Sequence, residues 1–127
     1  MSPVYLLDSS ALLAYFRREE GWEKVEMFLT GSAISTVNLG EVLVVLNRLN
    51  IPTDTLWLKL VLSDIMVIPF TIEDLDHFTP TILSAKDLSF GDKACIATGL
   101  RLGYPIVTGD RIWGSLAIPK LKLHFFR

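Results

Sequence analysis

Continuous apolar runs alternate along this chain with segments whose apolar positions recur at helical spacing. Val4-Tyr5-Leu6-Leu7 is such a run, the mark of a strand buried on both faces, and Met1 leads almost directly into it. Asp8 closes the run, and Ser9-Ser10 opens a helix whose apolar content is Ala11, Leu12, Leu13, Tyr15 and Phe16. A polar break, Arg17-Arg18-Glu19-Glu20-Gly21, precedes a second helix on which Trp22, Val25, Phe28 and Leu29 recur, ending at Gly31. Ala33-Ile34-Ser35 reads as a short strand. Asn38 can cap the next helix, with Leu39, Val42, Leu43, Leu46 and Leu49 on its buried stripe and Glu41 off the centre of that stripe. Pro52 stops it, and Asp54 can cap a helix from Thr55 to Ser63.

Met66 to Phe70 is a third strand, followed by a capping pair, Thr71 and Asp74. Thr79-Pro80 looks like an N-cap with proline at the first helical position, restarting a helix through Ala85. From Leu88 to Gly103 the pattern predicts a helix that is apolar almost all round, through Ala94, Cys95, Ile96, Ala97, Leu100 and Leu102, with one carboxylate, Asp92, in its first turn. Pro105-Ile106-Val107-Thr108 is a fourth strand, and Gly109-Asp110-Arg111 turns off its end. Leu121, Leu123 and Phe125 alternate with Lys120, Lys122 and His124, the period of a half-exposed edge strand. Apolar strands alternating with helices predict an α/β fold with a parallel sheet covered on both faces.

Composition narrows the class. A chain of 127 residues suits one domain over 1–127 with a core of useful size. Half the residues are hydrophobic, yet Lys59 interrupts the most apolar stretch, Leu56 to Leu62, and no run approaches the ~20 residues of a membrane span. The surplus predicts a partner or a homodimer interface and no membrane. Neither a signal peptide nor a disulfide is expected, since Cys95 is the one cysteine; both readings suit the cytoplasm. A net charge of −2 gives no global basic footprint for nucleic acid, so any RNA contact would come from local cations such as Lys86, Lys93, Arg101 and Arg111.

Four acids change the picture. Asp8 and Asp110 fall at the carboxyl ends of predicted strands, and Glu41 and Asp92 near the starts of helices on the same edge. In open parallel sheets, sites form beyond that edge. Capping or a turn accounts for each acid taken singly. Together they predict a shared pocket, where two carboxylates ~5 Å apart at an effective dielectric of ~20 repel by roughly 3 kcal/mol. Helix N-termini offset part of this and raised pKa values another part, while a divalent cation offsets most. An all-oxygen cage suits Mg²⁺ or Mn²⁺ rather than Zn²⁺, and the chemistry it points to is phosphodiester hydrolysis. Other constellations are weak: His77 and His124 sit far apart in ordinary contexts, and no phosphate-cradling glycine motif is present.

Taken in order, LLDSSALLAYF, ISTVNLGEVLVVL, LSFGDKACIATGLRLG and PIVTGDRIW resemble the PIN domain family, and most of all the ribonuclease toxins of VapBC-type toxin–antitoxin pairs. The resemblance implies a three-layer α/β/α fold with a central, mainly parallel sheet. It implies an acidic pocket binding Mg²⁺ or Mn²⁺, endonuclease cleavage of RNA, and a VapB-type antitoxin partner. By motif match, Asp8 and Asp92 carry over as metal ligands, with Glu41 and Asp110 completing the site. Ser9 falls where a hydroxyl often stands beside the first acid, and Lys93 and Arg111 are candidate phosphate contacts. A PIN-like binding module without catalysis is the alternative, and a phospho-acceptor signalling domain a more distant one. The latter would want a paired acid after the first strand, where this chain has Ser9-Ser10.

Overall fold

The computed structural model describes residues 4–127. Five short strands form one parallel sheet: β1 (Leu6–Leu7), β2 (Ala33–Ser35), β3 (Met66–Ile68), β4 (Ile106–Thr108) and β5 (Leu123–Phe125), in the order β3-β2-β1-β4-β5. The helices are α1 (Ser9–Arg17), α2 (Trp22–Leu29), α3 (Thr36–Arg48), α4 (Asp54–Leu62), α5 (Ile72–Leu75), α6 (Pro80–Ser84) and α7 (Phe90–Leu102), with a 3-10 turn over Arg111–Ser115. The lead-in from Met1 lies outside the described residues.

The two-residue period of the strands builds the layers. Leu7, Ile34 and Val107 point to one face, where α1, α2, α3 and α4 supply Leu12, Val25, Leu46 and Leu56. Leu6, Ala33 and Ile106 point to the other, against Ile82, Cys95, Ile96 and Trp113. The three central strands are therefore buried on both sides, as continuous apolar runs require. Each fully buried Leu or Ile contributes roughly 1.5–3 kcal/mol.

Three local readings shift. The cap of α3 is Ser35, not Asn38: the Ser35 hydroxyl accepts from the Asn38 amide at 3.3 Å, and the helix begins directly off β2. α4 begins at Asp54 itself, with Thr53 at the cap. β3 forms an edge like β5, with Met66 and Val67 exposed. A buried ion pair ties α5 to α7: the Arg101 Nε donates to Asp74 Oδ1 at 2.6 Å, and Asp74 is fully buried. Among the described residues, no helix is long and apolar enough to cross a membrane.

Candidate functional site

Every strand of a parallel sheet ends on the same edge, and the helix that follows each strand starts there. β1 delivers Asp8 to that edge as the N-cap of α1, its backbone extended at φ −84° and ψ 173°. Oδ1 accepts from the Ala11 amide at 3.0 Å and the Ser10 hydroxyl at 2.7 Å, while Oδ2 accepts from the Thr108 hydroxyl at 2.7 Å. The side chain is buried, at 3 % exposure. Desolvation raises its pKa from 3.8 to about 6, against the pull of these three bonds, and the negative charge of Asp92 adds to the rise.

Asp92 is the third residue of α7 and closes a capping box with Ser89. Its Oδ2 accepts from the Ser89 amide at 3.0 Å, and the Ser89 hydroxyl accepts from its own amide at 3.1 Å. Half-buried, it too has a raised pKa, through desolvation first and then the charges of Asp110 and Glu41, outweighing its two bonds to Ser89. Asp110 caps the 3-10 turn after β4, accepting from the Ile112 amide at 3.1 Å. Its own amide donates to the Thr108 hydroxyl oxygen at 3.1 Å, so Thr108 bridges the first acid and the last.

Glu41 lies in the second turn of α3, one turn later than an Asn38 cap would place it. Asn38, buried on the inner face of α3, aims its side-chain amide at the edge. Nδ2 donates to Glu41 Oε1 at 2.8 Å and to the Gly91 carbonyl at 3.1 Å. Gly91 makes room for this contact, because a Cβ there would overlap the Glu41 carboxylate. One residue thus positions Glu41 and docks α3 on the head of α7.

The four acids share one electrostatic field, with Asp92 in mutual range of Asp8, Asp110 and Glu41. Cys95, one turn below Asp92, feels the same field: burial first, then Asp8, Asp92 and Glu41, push its thiol pKa well up. The donor set is all hard oxygen, which fits Mg²⁺ or Mn²⁺ and not Zn²⁺. As placed, the acids do not close into a ligand shell: among the described residues, no three His, Cys, Asp or Glu side chains surround a common point. Hydrogen bonds engage one oxygen of three of the acids. Asp92 turns one oxygen to its capping box, Asp110 turns one to the 3-10 turn, and Glu41 turns one to Asn38.

The lesser candidates fare differently. Ser10, not Ser9, supplies the hydroxyl on Asp8, and it also accepts from the Gly109 amide at 3.1 Å. Ser9 is the first, half-buried residue of α1. Lys93 turns its ammonium to the Leu83 carbonyl at 3.3 Å, and Arg111 donates to the Arg127 carbonyl at 2.9 Å while lying over the Phe125 ring. Sequence reasoning missed Ser10, Asn38 and Thr108 as parts of the site. Thr108, the polar last residue of an otherwise apolar buried strand, carried a signal, and so did Asn38 next to an apolar stripe.

Comparison with known proteins agrees with this architecture. The family profile described as PIN domain matches residues 5–118. A search of curated proteins finds no match. Among solved structures, the chain is similar to a toxin–antitoxin complex from Klebsiella pneumoniae, with TM-score 0.72, 19 % identity, and coverage of 97 % of this chain and 98 % of that one. It is similar to DNA-bound VapBC from Salmonella typhimurium, with TM-score 0.71, 14 % identity and coverage of 99 % and 100 %. FitAcB from Neisseria gonorrhoeae gives TM-score 0.70, 16 % identity and coverage of 97 % and 98 %. At these identities the likeness speaks for the fold.

Proposed function

The chain belongs to the PIN domain family, and from that premise we propose that it is a divalent-cation-dependent endoribonuclease, the toxin of a toxin–antitoxin pair. One observation supports the reading above all others. Asp8 is buried with its pKa lifted to about 6 beside a second raised carboxyl, Asp92, and two more acids face that second one. A fold of ordinary marginal stability keeps such a cluster when something positive occupies it.

In this proposal Asp8 and Asp92 hold the cation, and Glu41 and Asp110 complete the oxygen set. When bound, such a cation would polarise a phosphoryl oxygen and lower the pKa of a water, the chemistry that hydrolysis of a phosphodiester to 5′-phosphate and 3′-hydroxyl ends calls for. The remaining work belongs to the chain. Ser10, the Ala11 amide and Thr108 fix the Asp8 carboxylate so that it does not reorganise when charge arrives. Asn38 aims Glu41, and Thr108 couples the turn bearing Asp110 to Asp8.

The antitoxin is proposed to seat on the face of α1 and α4. A groove of about 280 Å³ there is lined by Tyr15, Phe16, Leu58 and Leu62, with Arg18 and Lys59 at hand. Leu58, Val61 and Leu62 of α4 are exposed beside it, and contiguous exposed apolar surface marks interaction sites. The structural relatives are toxin–antitoxin complexes, which supports a protein partner for this chain; a cytoplasmic setting is part of the proposal. A homodimer through the remaining apolar surface belongs to the same proposal.

The test is direct. Purified protein should cut RNA in Mg²⁺ or Mn²⁺, stop in EDTA, and be silent as Asp92→Asn. Undiminished cleavage by that variant would refute the assignment, and sequencing new 5′ ends after induced expression would name the RNA.

A further inference from the structure

The carboxyl edge of the sheet is chemically polarised beyond the acids. Strand order sets the sequence of features: the segment after β3 carries Phe70, β2 leads into the helix of Glu41, β1 ends in Asp8, β4 leads to Asp110, and β5 runs out to Arg127. On the β3 side, Phe70, Phe78 and Phe90 form a closed aromatic triad. Ring centroids are 6.4 Å apart for Phe70–Phe78 and 6.1 Å for each of the other pairs, with interplanar angles of 77°, 67° and 37°.

The triad is mounted on the same backbone as the site. Phe90 opens α7 two residues before Asp92 and next to Gly91. The Phe70 amide donates to the Thr36 hydroxyl at 3.1 Å, fixing it to the first residue of α3, the helix of Asn38 and Glu41. Phe90 is nonetheless 59 % exposed. Core packing does not call for an exposed phenyl ring two residues from Asp92. Lys93, one helical turn on from Phe90, lies alongside through its bond to the Leu83 carbonyl. On the opposite flank, the Arg127 side chain rests against Gly109, beside Asp110, and Arg111 is bonded to the Arg127 carbonyl.

We propose that the Phe70–Phe78–Phe90 triad is a stacking platform for an unpaired base of the RNA next to the bond that is cut, with Phe90 as its outer face. The inference rests on the ribonuclease reading of the acids and adds to it a subsite for one base of the strand. Aromatic faces take any base from a single strand, whereas a paired base keeps its faces in the helix stack. Charge favours this occupant. The base itself is neutral beside the acids, and Lys93 on one flank, with Arg111 and the Glu19-paired Arg127 on the other, offset the charge of its phosphates. A two-fold contact between copies centred on the same face would set two acid clusters side by side.

The test reads binding apart from cleavage. Affinity for a short fluorescent single-stranded RNA is measured by anisotropy for Asp92→Asn, alone and combined with Phe90→Leu, Phe90→Ala or Phe90→Tyr. Leu and Ala should weaken binding roughly 5- to 100-fold and Tyr should restore it, the effect of one lost base stack. An abasic nucleotide placed at the stacked position should erase the difference that Phe90→Leu makes. Equal affinity with and without Phe90→Leu overturns the platform. So does a fall from dimer to monomer in Phe90→Ala with RNA affinity unchanged, which would mark the face as a contact between copies. Cleavage by wild type that is indifferent to Phe90 sinks the platform alone; a wild type that cuts no RNA sinks the ribonuclease reading instead.

Discussion

The hydroxyl of Thr108 donates to the carboxylate of Asp8 at 2.7 Å, joining residues 100 positions apart in the chain across two adjacent parallel strands. The same hydroxyl oxygen receives the Asp110 amide. Thr108→Val keeps the shape and removes both bonds. It should cost roughly 1–3 kcal/mol of stability by leaving a buried carboxylate oxygen unsatisfied. It should also raise the Asp8 pKa further, because that bond favours the ionised form. Chemical denaturation and NMR titration of the Asp8 carboxyl check the two effects.

The raised Asp8 pKa makes stability depend on pH with a definite sign. The unfolded group ionises near 3.8 and the folded one near 6. Below both values neither state is charged and Asp8 contributes no pH dependence. As pH rises through that window the unfolded state loses its proton first, and the folded state is destabilised by ~3 kcal/mol once pH exceeds the folded value. Without divalent cation, wild type should lose stability relative to Asp8→Asn between about pH 4 and pH 6.5. Thermal melts of both proteins across that range, in EDTA, provide the check; parallel curves would contradict it.

Gly91→Ala separates the site from the fold. Alanine is the better helix former by up to ~1 kcal/mol, and the atom its Cβ meets is the end of the flexible Glu41 side chain. Melting temperature should hold or rise while cleavage falls, since the Glu41 carboxylate must leave the head of α7. A variant with full cleavage would show that Glu41 has no need of that position.

Arg101→Met tests the pair beneath α5. Burial alone would raise the Asp74 carboxyl, but the Arg101 bond and the Thr71 amide together hold it below its ordinary value. Without the guanidinium an uncompensated charge is left inside, at a cost of roughly 3–5 kcal/mol. The loss should shrink in Asp74→Asn/Arg101→Met, as a double-mutant denaturation cycle would show.

Much of this was legible in the chain. The runs at Leu6-Leu7, Ala33-Ile34 and Ile106-Val107 read as doubly buried strands because a central parallel strand has no solvent face to mark with polar residues. The capping roles of the acids were legible too. Asp8 and Asp110 cap α1 and the 3-10 turn, and Asp92 closes the capping box of α7, all at the carboxyl edge of the sheet. What stayed hidden was set by contacts distant in sequence. Asn38 looked like a cap because its side chain suits one, yet it turns inward to Gly91, 53 residues away. Ser9 and Ser10 are indistinguishable until the first turn of α1 fixes which hydroxyl faces Asp8. The exposed edge at Met66 and Val67 carried no polar mark to announce it.

The central claim is that Asp8, Glu41, Asp92 and Asp110 serve one cation. Titrating the protein with Mn²⁺ and counting bound ion by its electron paramagnetic resonance signal tests this without any RNA. Wild type should bind Mn²⁺ with an affinity that falls at least tenfold in Asp8→Asn and in Asp92→Asn, and by less in Glu41→Gln and Asp110→Asn. Binding of equal strength in wild type and Asp92→Asn would contradict the account.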